Sequence, residues 1–332
     1  MPRSEDEESN IMKRTIAALT AAAALAACGG GNTPITAEEA RTAMPSAQQA
    51  QIAVPQTAAL TGALRGTEAV TSGTPAEYAT DTIALATSVN VGVVWTLRVV
   101  EAVAALPATA CAGATCTWGP WTNVFEVNTW QLTVTKVDDG HYAWGLAGQP
   151  KSNPSLGFVT FVSGNAFPTG VRHVGNGDFV ADFDEAAKLD SLDSRPQSGR
   201  IEATYDNRTG ASVAVKFLGT DDDSAPNTKV NAAYQFQATA TGGDLQVASG
   251  NLTSNAKLTL HSRWTGTGAG RGDASFFDGA STTYTRSQCW DGNTTRFNLL
   301  YQVTSPVQPS DTGVETSCGT FVPAAPPTIA AP

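Results

Sequence analysis

The sequence predicts a mainly β protein of the α+β class, in which an extended antiparallel sheet, curled or barrel-like, packs on one long N-terminal helix. Apolar residues recur every three or four positions across 74–107, the helical period, and switch to alternation after Cys116, the strand period. Turn sequences such as Asp138-Asp139-Gly140 and Asn207-Arg208-Thr209-Gly210 separate the alternating runs. Hydrophobic residues make up 41% of the chain and charged residues 15%, enough apolar content to bury a core and a balance that suits strands and turns better than surface helices.

Taken in order, the first feature is an address. Met12-Lys13-Arg14 is a basic start, and residues 15–24 form a short, nearly uncharged, Ala-rich run, the order of a secretory signal. It ends in Leu25-Ala26-Ala27-Cys28, ahead of Gly29-Gly30-Gly31. Those four residues resemble the lipobox of bacterial lipoproteins. The resemblance implies cleavage before Cys28, a diacylglycerol on its thiol, and acylation of the new amino group. Gly29, rather than Asp, resembles lipoproteins sent on to the outer membrane of a Gram-negative bacterium, so the implied partner is the bilayer. Each buried methylene adds about 0.8 kcal/mol, and several chains on one Cys hold a protein stably where one does not. The apolar run falls short of the ~20 residues that span a bilayer. The competing reading is an ordinary cleaved signal with Cys28 left as a bystander or disulfide partner.

Residues 1–11 carry Glu5, Asp6, Glu7 and Glu8 where a signal should be basic, so translation is expected to start at Met12. Removing everything before Cys28 takes away three basic and four acidic residues, and the net charge of −10 becomes −9. An acidic chain without a basic patch repels phosphates, which argues against nucleic acid as a partner.

Residues 28–73 are rich in Ala, Thr, Gln, Gly and Pro, the composition of a lipidated tether. Within them Thr36-Ala37-Glu38-Glu39 is a capping box, so a short helix is expected inside 36–51, broken at Pro45. Residues 74–322 then form a single helix-plus-sheet domain. Thr74-Pro75-Ala76-Glu77 supplies an N-cap hydroxyl, Pro at the first helical position and Glu at the third. The helix should span about 75–106 and stop at Pro107, with Val89, Val93, Leu97, Val100 and Ala104 on one stripe. Asn90, Arg98 and Glu101 interrupt the rest of the surface, which favours a core face over a membrane face.

Strands follow. Trp130, Leu132 and Val134 lead through Asp138-Asp139-Gly140 into Tyr142, Trp144 and Leu146. Ile201, Ala203 and Tyr205 precede Val213, Val215 and Phe217; Tyr234, Phe236 and Ala238 precede Leu245 and Val247. Leu258, Leu260 and Trp264, then Phe297, Leu299, Tyr301 and Val303, complete about ten strands with one wet face. Residues 182–193 are acidic and include a helical turn near Glu185. Residues 323–332 are Pro and Ala and are expected to be disordered.

Setting Cys28 aside leaves Cys111, Cys116, Cys289 and Cys318. An exported chain meets an oxidising space, so disulfides are expected over a metal site. Three connectivities are open, and pairing of sequence neighbours is the simplest. Paired C-x-x-C units with His neighbours, as a zinc site would need, do not occur.

Catalytic signals are few. His141, His173 and His261 stand beside strand patterns without a motif partner, and no G-x-S-x-G or H-E-x-x-H is present. Asp221-Asp222-Asp223 could offer hard oxygens to calcium but lacks EF-hand spacing and reads as a solvated turn. Gly266, Gly268, Gly270 and Gly272 match neither a P-loop nor a dinucleotide fingerprint and read as a flexible turn. Arg271-Gly272-Asp273 spells an adhesion tripeptide of negligible specificity, and the sequons at Asn207, Asn251 and Asn293 carry little weight. Trp118, Trp121, Trp130, Trp144, Trp264 and Trp290 read as core, with a lipid- or sugar-lined cavity as the alternative.

The expected function is therefore that of a non-catalytic, lipid-anchored envelope protein without cofactor or metal, similar in architecture to envelope lipoproteins of Gram-negative bacteria. Its partner would be an envelope protein or a hydrophobic ligand. The alternative is a carrier, by resemblance to outer-membrane lipoprotein carriers that hold acyl chains in a curved sheet. A hydrolase of envelope polymers is a weaker third.

Overall fold

The computed structural model describes residues 34–56, 73–190, 197–222, 227–292 and 297–332. The leader, Leu25-Ala26-Ala27-Cys28, Asp223 and Asn293 lie outside the described residues.

Among the described residues fourteen strands pair in sequence order, each antiparallel to its neighbours. They are β1 (Ala110–Ala112), β2 (Thr115–Trp121), β3 (Asn128–Asp138), β4 (His141–Pro150), β5 (Val159–Pro168), β6 (Gly175–Asp182) and β7 (Arg200–Asp206). The second half comprises β8 (Ser212–Asp221), β9 (Lys229–Thr239), β10 (Gly242–Asn251), β11 (Lys257–Thr265), β12 (Gly270–Phe277), β13 (Thr283–Trp290) and β14 (Leu299–Ser305).

The expected curled or barrel-like closure does not occur. Strand β1 pairs with β2 and β14 with β13, and no ladder joins β1 to β14, so the sheet is an open meander. Unpaired edges need partners, and the chain flanking the long helix supplies some of them. Ile35 N–H donates to Gly113 O in the β1–β2 turn at 3.0 Å; beside β14, Leu299 N–H donates to Thr74 O at 2.8 Å and Ala76 N–H to Phe297 O at 2.9 Å.

Those edge contacts also set where the long helix starts. Pro75 bridges Asn298, so α1 (Ala37–Ala43) is followed by α2 (Glu77–Ala104), which begins two residues later than expected. No side chain caps it at Ala76; the free Tyr78 N–H donates instead to Gln288 Oε1 at 2.9 Å. By length and composition α2 could cross a membrane, but Val89, Val93, Leu97, Val100 and Ala104 are buried in the protein core. They share that core with Trp118, Leu132, Val134, Trp144, Phe179 and Phe236 of the sheet.

Residues 34–56, assigned by composition to a tether, join the same core. Thr36 Oγ1 accepts from Glu39 N–H at 3.1 Å to start α1, and Pro45 separates α1 from a 3₁₀ turn, Ala47–Ala50. Ala40, Ala43, Ala47 and Ala50 are all buried, so the Ala-rich composition reflects close packing rather than a linker. Asn90 of α2 clamps the segment: its Nδ2 donates to Ile52 O at 2.9 Å and its Oδ1 accepts from Ile52 N–H at 2.8 Å. Asn90→Ala should lower stability by about 1–3 kcal/mol, since both backbone groups of a buried residue lose their partner. Urea denaturation measures it directly.

Strands β5, β6 and β12 have glycine at core-facing positions where an aromatic side chain and, at Gly164 and Gly177, a neighbouring strand's carbonyl leave no room for a Cβ. A Cβ on Gly164 would lie 2.8 Å from Trp144 Cζ2, on Gly177 2.8 Å from Tyr205 Cζ, and on Gly272 2.9 Å from Tyr78 Cβ. The flexible-turn reading of the glycine run is thereby corrected. Gly266 and Gly268 form the turn, while Gly270 and Gly272 belong to β12. Between β6 and β7 lies a single turn, α3 (Phe183–Ala186), capped by Asp182 Oδ1 accepting from Glu185 N–H at 2.9 Å.

Candidate functional site on the polar face of the sheet

Successive strand residues point to opposite faces, so the positions between the core residues build a second face. Strand registers align them into two rows. One runs Asn165, Asp178, Thr204, Ala214, Gln235, Gln246, His261, Asp273, Ser287 and Val303. The other runs Phe167, Asn176, Asp206, Ser212, Gln237, Asp244, Arg263, Arg271, Cys289 and Tyr301.

Over β5 to β9 the floor is made of small side chains, Thr204, Ser212 and Ala214. The longer Phe167, Asn176, Asp178 and Gln235 rise around it and leave an open hollow of about 440 Å³. His141 stacks on Phe167 with ring centres 4.5 Å apart, and its Nε2 shares a 2.9 Å hydrogen bond with Asn165 Oδ1. Asn165 Nδ2 in turn donates to Asp178 Oδ1 at 3.1 Å. Hydrogen bonds from Arg208 hold the Asp206 carboxyl below the usual carboxylate range. Burial, and to a lesser extent the Asp178 charge, pushes the Tyr205 hydroxyl up.

Over β9 to β13 the same face is covered. A 3₁₀ segment, Glu315–Phe321, is fixed to β13 by the Cys289–Cys318 disulfide, and residues 323–332 then cross the strands from β12 towards β9. Beneath them Arg271 and Asp273 are only 1% and 6% exposed. Arg271 Nε donates to Asp273 Oδ1 at 2.9 Å and its Nη2 to Ser287 Oγ at 2.8 Å, while Nη1 pairs with Glu315 Oε1 at 2.8 Å. Ser287 Oγ donates to Asp273 Oδ1 at 2.6 Å, and Arg263 Nη2 to Asp273 Oδ2 at 3.2 Å. The Arg271-Gly272-Asp273 tripeptide is thus a buried ion-pair network.

His261 sits beside it, buried. Its Nε2 is 2.9 Å from Asp244 Oδ1 and its Nδ1 is 2.8 Å from Ala325 O. Tail residues 323–332, expected to be disordered, are therefore held by the sheet. The attachment uses their backbone: Ala325 N–H donates to Asp273 Oδ2 at 3.0 Å, Thr328 N–H to Gln246 Oε1 at 2.8 Å, and Pro332 O accepts from Asn231 Nδ2 at 2.7 Å.

The other candidates fall elsewhere. Cys111–Cys116 joins β1 to β2 with Cα atoms 4.0 Å apart. His173 lies in a turn with φ of 59°, and its carbonyl accepts from Asn207 Nδ2 at 2.7 Å. Asp221 pairs with Lys229 at 2.5 Å and accepts from Ser198, and the Lys229 hydrogen bond lowers its carboxyl. Asn207 Oδ1 accepts from Gly175 N–H at the start of β6, and Asn251 Oδ1 from the local Thr253 N–H. Trp118, Trp144, Trp264 and Trp290 are buried, and Trp121 and Trp130 are half-buried. Among the described residues no three His, Cys, Asp or Glu side chains come together as a metal site, and no hydroxyl is hydrogen-bonded to a histidine ring.

What sequence reasoning missed is the polar face as a unit. Its members are the residues between apolar positions, and only the strand registers bring them into rows. The chain matches no protein-family model, no curated protein and no solved structure.

Proposed function

We propose that this chain is a lipid-anchored envelope protein with a structural or interaction role and no catalytic one. The observation that carries the reading is Leu25-Ala26-Ala27-Cys28 placed after a basic start and an apolar run. Two disulfides suit an oxidising compartment. A carrier needs an open apolar cavity, whereas Val93, Leu97 and Val100 are fully buried against the sheet, which weighs against lipid carriage. The polar face, with its ordered amides and carboxylates, is the surface offered for interaction.

Radiolabelled palmitate should enter the full-length chain in a Gram-negative host and be lost in Cys28→Ser, and globomycin should accumulate the uncleaved form. Absence of label with the leader retained in the cytosol would remove the anchor and the location together. Native mass spectrometry of the Cys28→Ser form should show the bare polypeptide mass; co-purified lipid would restore the carrier.

A further inference from the structure

We infer that the groove across β9 to β12, filled in this structure by residues 324–332, is a binding site for an extended, proline- and alanine-rich segment of a partner protein, with the chain's own tail as its competitor in cis. This goes beyond the anchoring reading and holds whether or not Cys28 is acylated.

The contacts have the form of peptide recognition. The sheet addresses the tail mainly through its backbone: Asp273 takes the Ala325 amide, His261 meets the Ala325 carbonyl, Gln246 takes the Thr328 amide and hydroxyl, and Asn231 donates to Pro332 O. Main-chain hydrogen bonds give affinity with little demand on sequence, while pockets for side chains give selectivity. In residues 325–331 alternate positions turn toward the sheet, Ala325, Pro327, Ile329 and Ala331, and all but Ile329 are small or ring-closed.

The tail is also an incomplete occupant. An open hollow of about 360 Å³ lies beside the tail, with Ala324, Pro326 and Pro327 on one side, Tyr301 and Val303 on the other, and Arg271, Arg286 and Glu315 also in its wall. A segment with a larger apolar side chain in place of Ala324 fills it.

The attachment favours a partner over exchange between two copies. Cys318 is bonded to Cys289, and the Phe321 carbonyl receives Arg271 Nη1 at 3.3 Å and Arg263 Nη2 at 3.4 Å, so the leash to Ala325 is short. It keeps the tail at high effective concentration in its own groove and out of reach of another. A partner segment enters by displacing it.

The test is a chain stopped after Pro323, which retains the disulfide and the Arg271–Asp273 pair. It should fold, with its near-ultraviolet circular dichroism kept, and bind a synthetic peptide of residues 324–332 saturably at one to one in calorimetry. Gln246→Ala should weaken binding about fivefold or more, because Thr328 loses both hydrogen bonds. The peptide carrying Ala324→Leu should bind about tenfold tighter, and the full-length chain should bind either peptide at least about tenfold more weakly than the shortened one.

No saturable binding to the folded shortened chain, or binding indifferent to Gln246→Ala and to the tail, would overturn the inference. If the shortened chain does not fold, hydrogen exchange on the full-length protein decides. The Ala325 and Thr328 amides should exchange by local opening, faster than the β10 amides. Exchange only with the whole sheet would make the tail a fixed strap and overturn the proposal. A concentration-dependent dimer abolished by the truncation would make a second copy the occupant and overturn the partner assignment.

Discussion

Asp273→Ala is expected to lower the free energy of unfolding by about 3–5 kcal/mol, the cost of leaving one member of a buried ion pair without its partner. Arg271 is 1% exposed and lies in a network whose centre is the Asp273 carboxylate, which also takes Ser287, Arg263 and the Ala325 amide. Losing the carboxylate strands the guanidinium in a site that water barely reaches. Glu315 pairs with Arg271 as well, which should keep the loss nearer the lower end of that range. Replacing both members by apolar residues, Arg271→Met with Asp273→Leu, should cost less than Asp273→Ala alone, since no charge remains buried. Urea unfolding of Arg271→Met, Asp273→Leu and the double variant measures the coupling. A loss under about 1 kcal/mol for Asp273→Ala would mean that solvent reaches Arg271 freely, and the tail would not be held as described.

The elements that could be read from sequence are those whose signal is carried by their own residues. Val89, Val93, Leu97 and Val100 announce a helix with one buried stripe because each occupies its own place in the core. The hairpin at Asp138-Asp139-Gly140 is equally local, with Gly140 at a φ of 87° joining β3 to β4. Strands β5, β6 and β12 could not be read that way. At Gly164, Gly177 and Gly272 the apolar group belongs to another element, Trp144, Tyr205 or Tyr78, so the alternation is complete only in three dimensions. The same holds for residues 34–56, whose alanines look like a linker until they are placed against α2, and for 323–332, whose order comes from side chains on β9 to β12. Closure was misjudged for a related reason. Local alternation says that a strand has a wet face but not what meets the outermost strands, and here Thr74 and Ala76 are hydrogen-bonded beside β14.

Leu97→Ala should cost about 2–5 kcal/mol, the transfer of a buried side chain plus the cavity it leaves. Leu97 is fully buried on α2 among residues of the sheet, whereas Val91, six residues earlier on the same helix, is 68% exposed. Val91→Ala should therefore stay within about 0.5 kcal/mol of the parent, which shows what shortening to alanine does on the solvent side of the same helix. The comparison also bears on function. A carrier must let its apolar interior adapt to a ligand, and an adaptable interior relaxes around a truncated leucine. A full-sized loss at Leu97, measured by urea unfolding with an unchanged slope, would mark the interface between α2 and the sheet as tightly packed. That would leave recognition to the opposite, polar face. A loss under about 1 kcal/mol, joined by binding of an apolar dye or fatty acid to Leu97→Ala, would reverse that assignment and return the helix–sheet interface to candidacy as a ligand site.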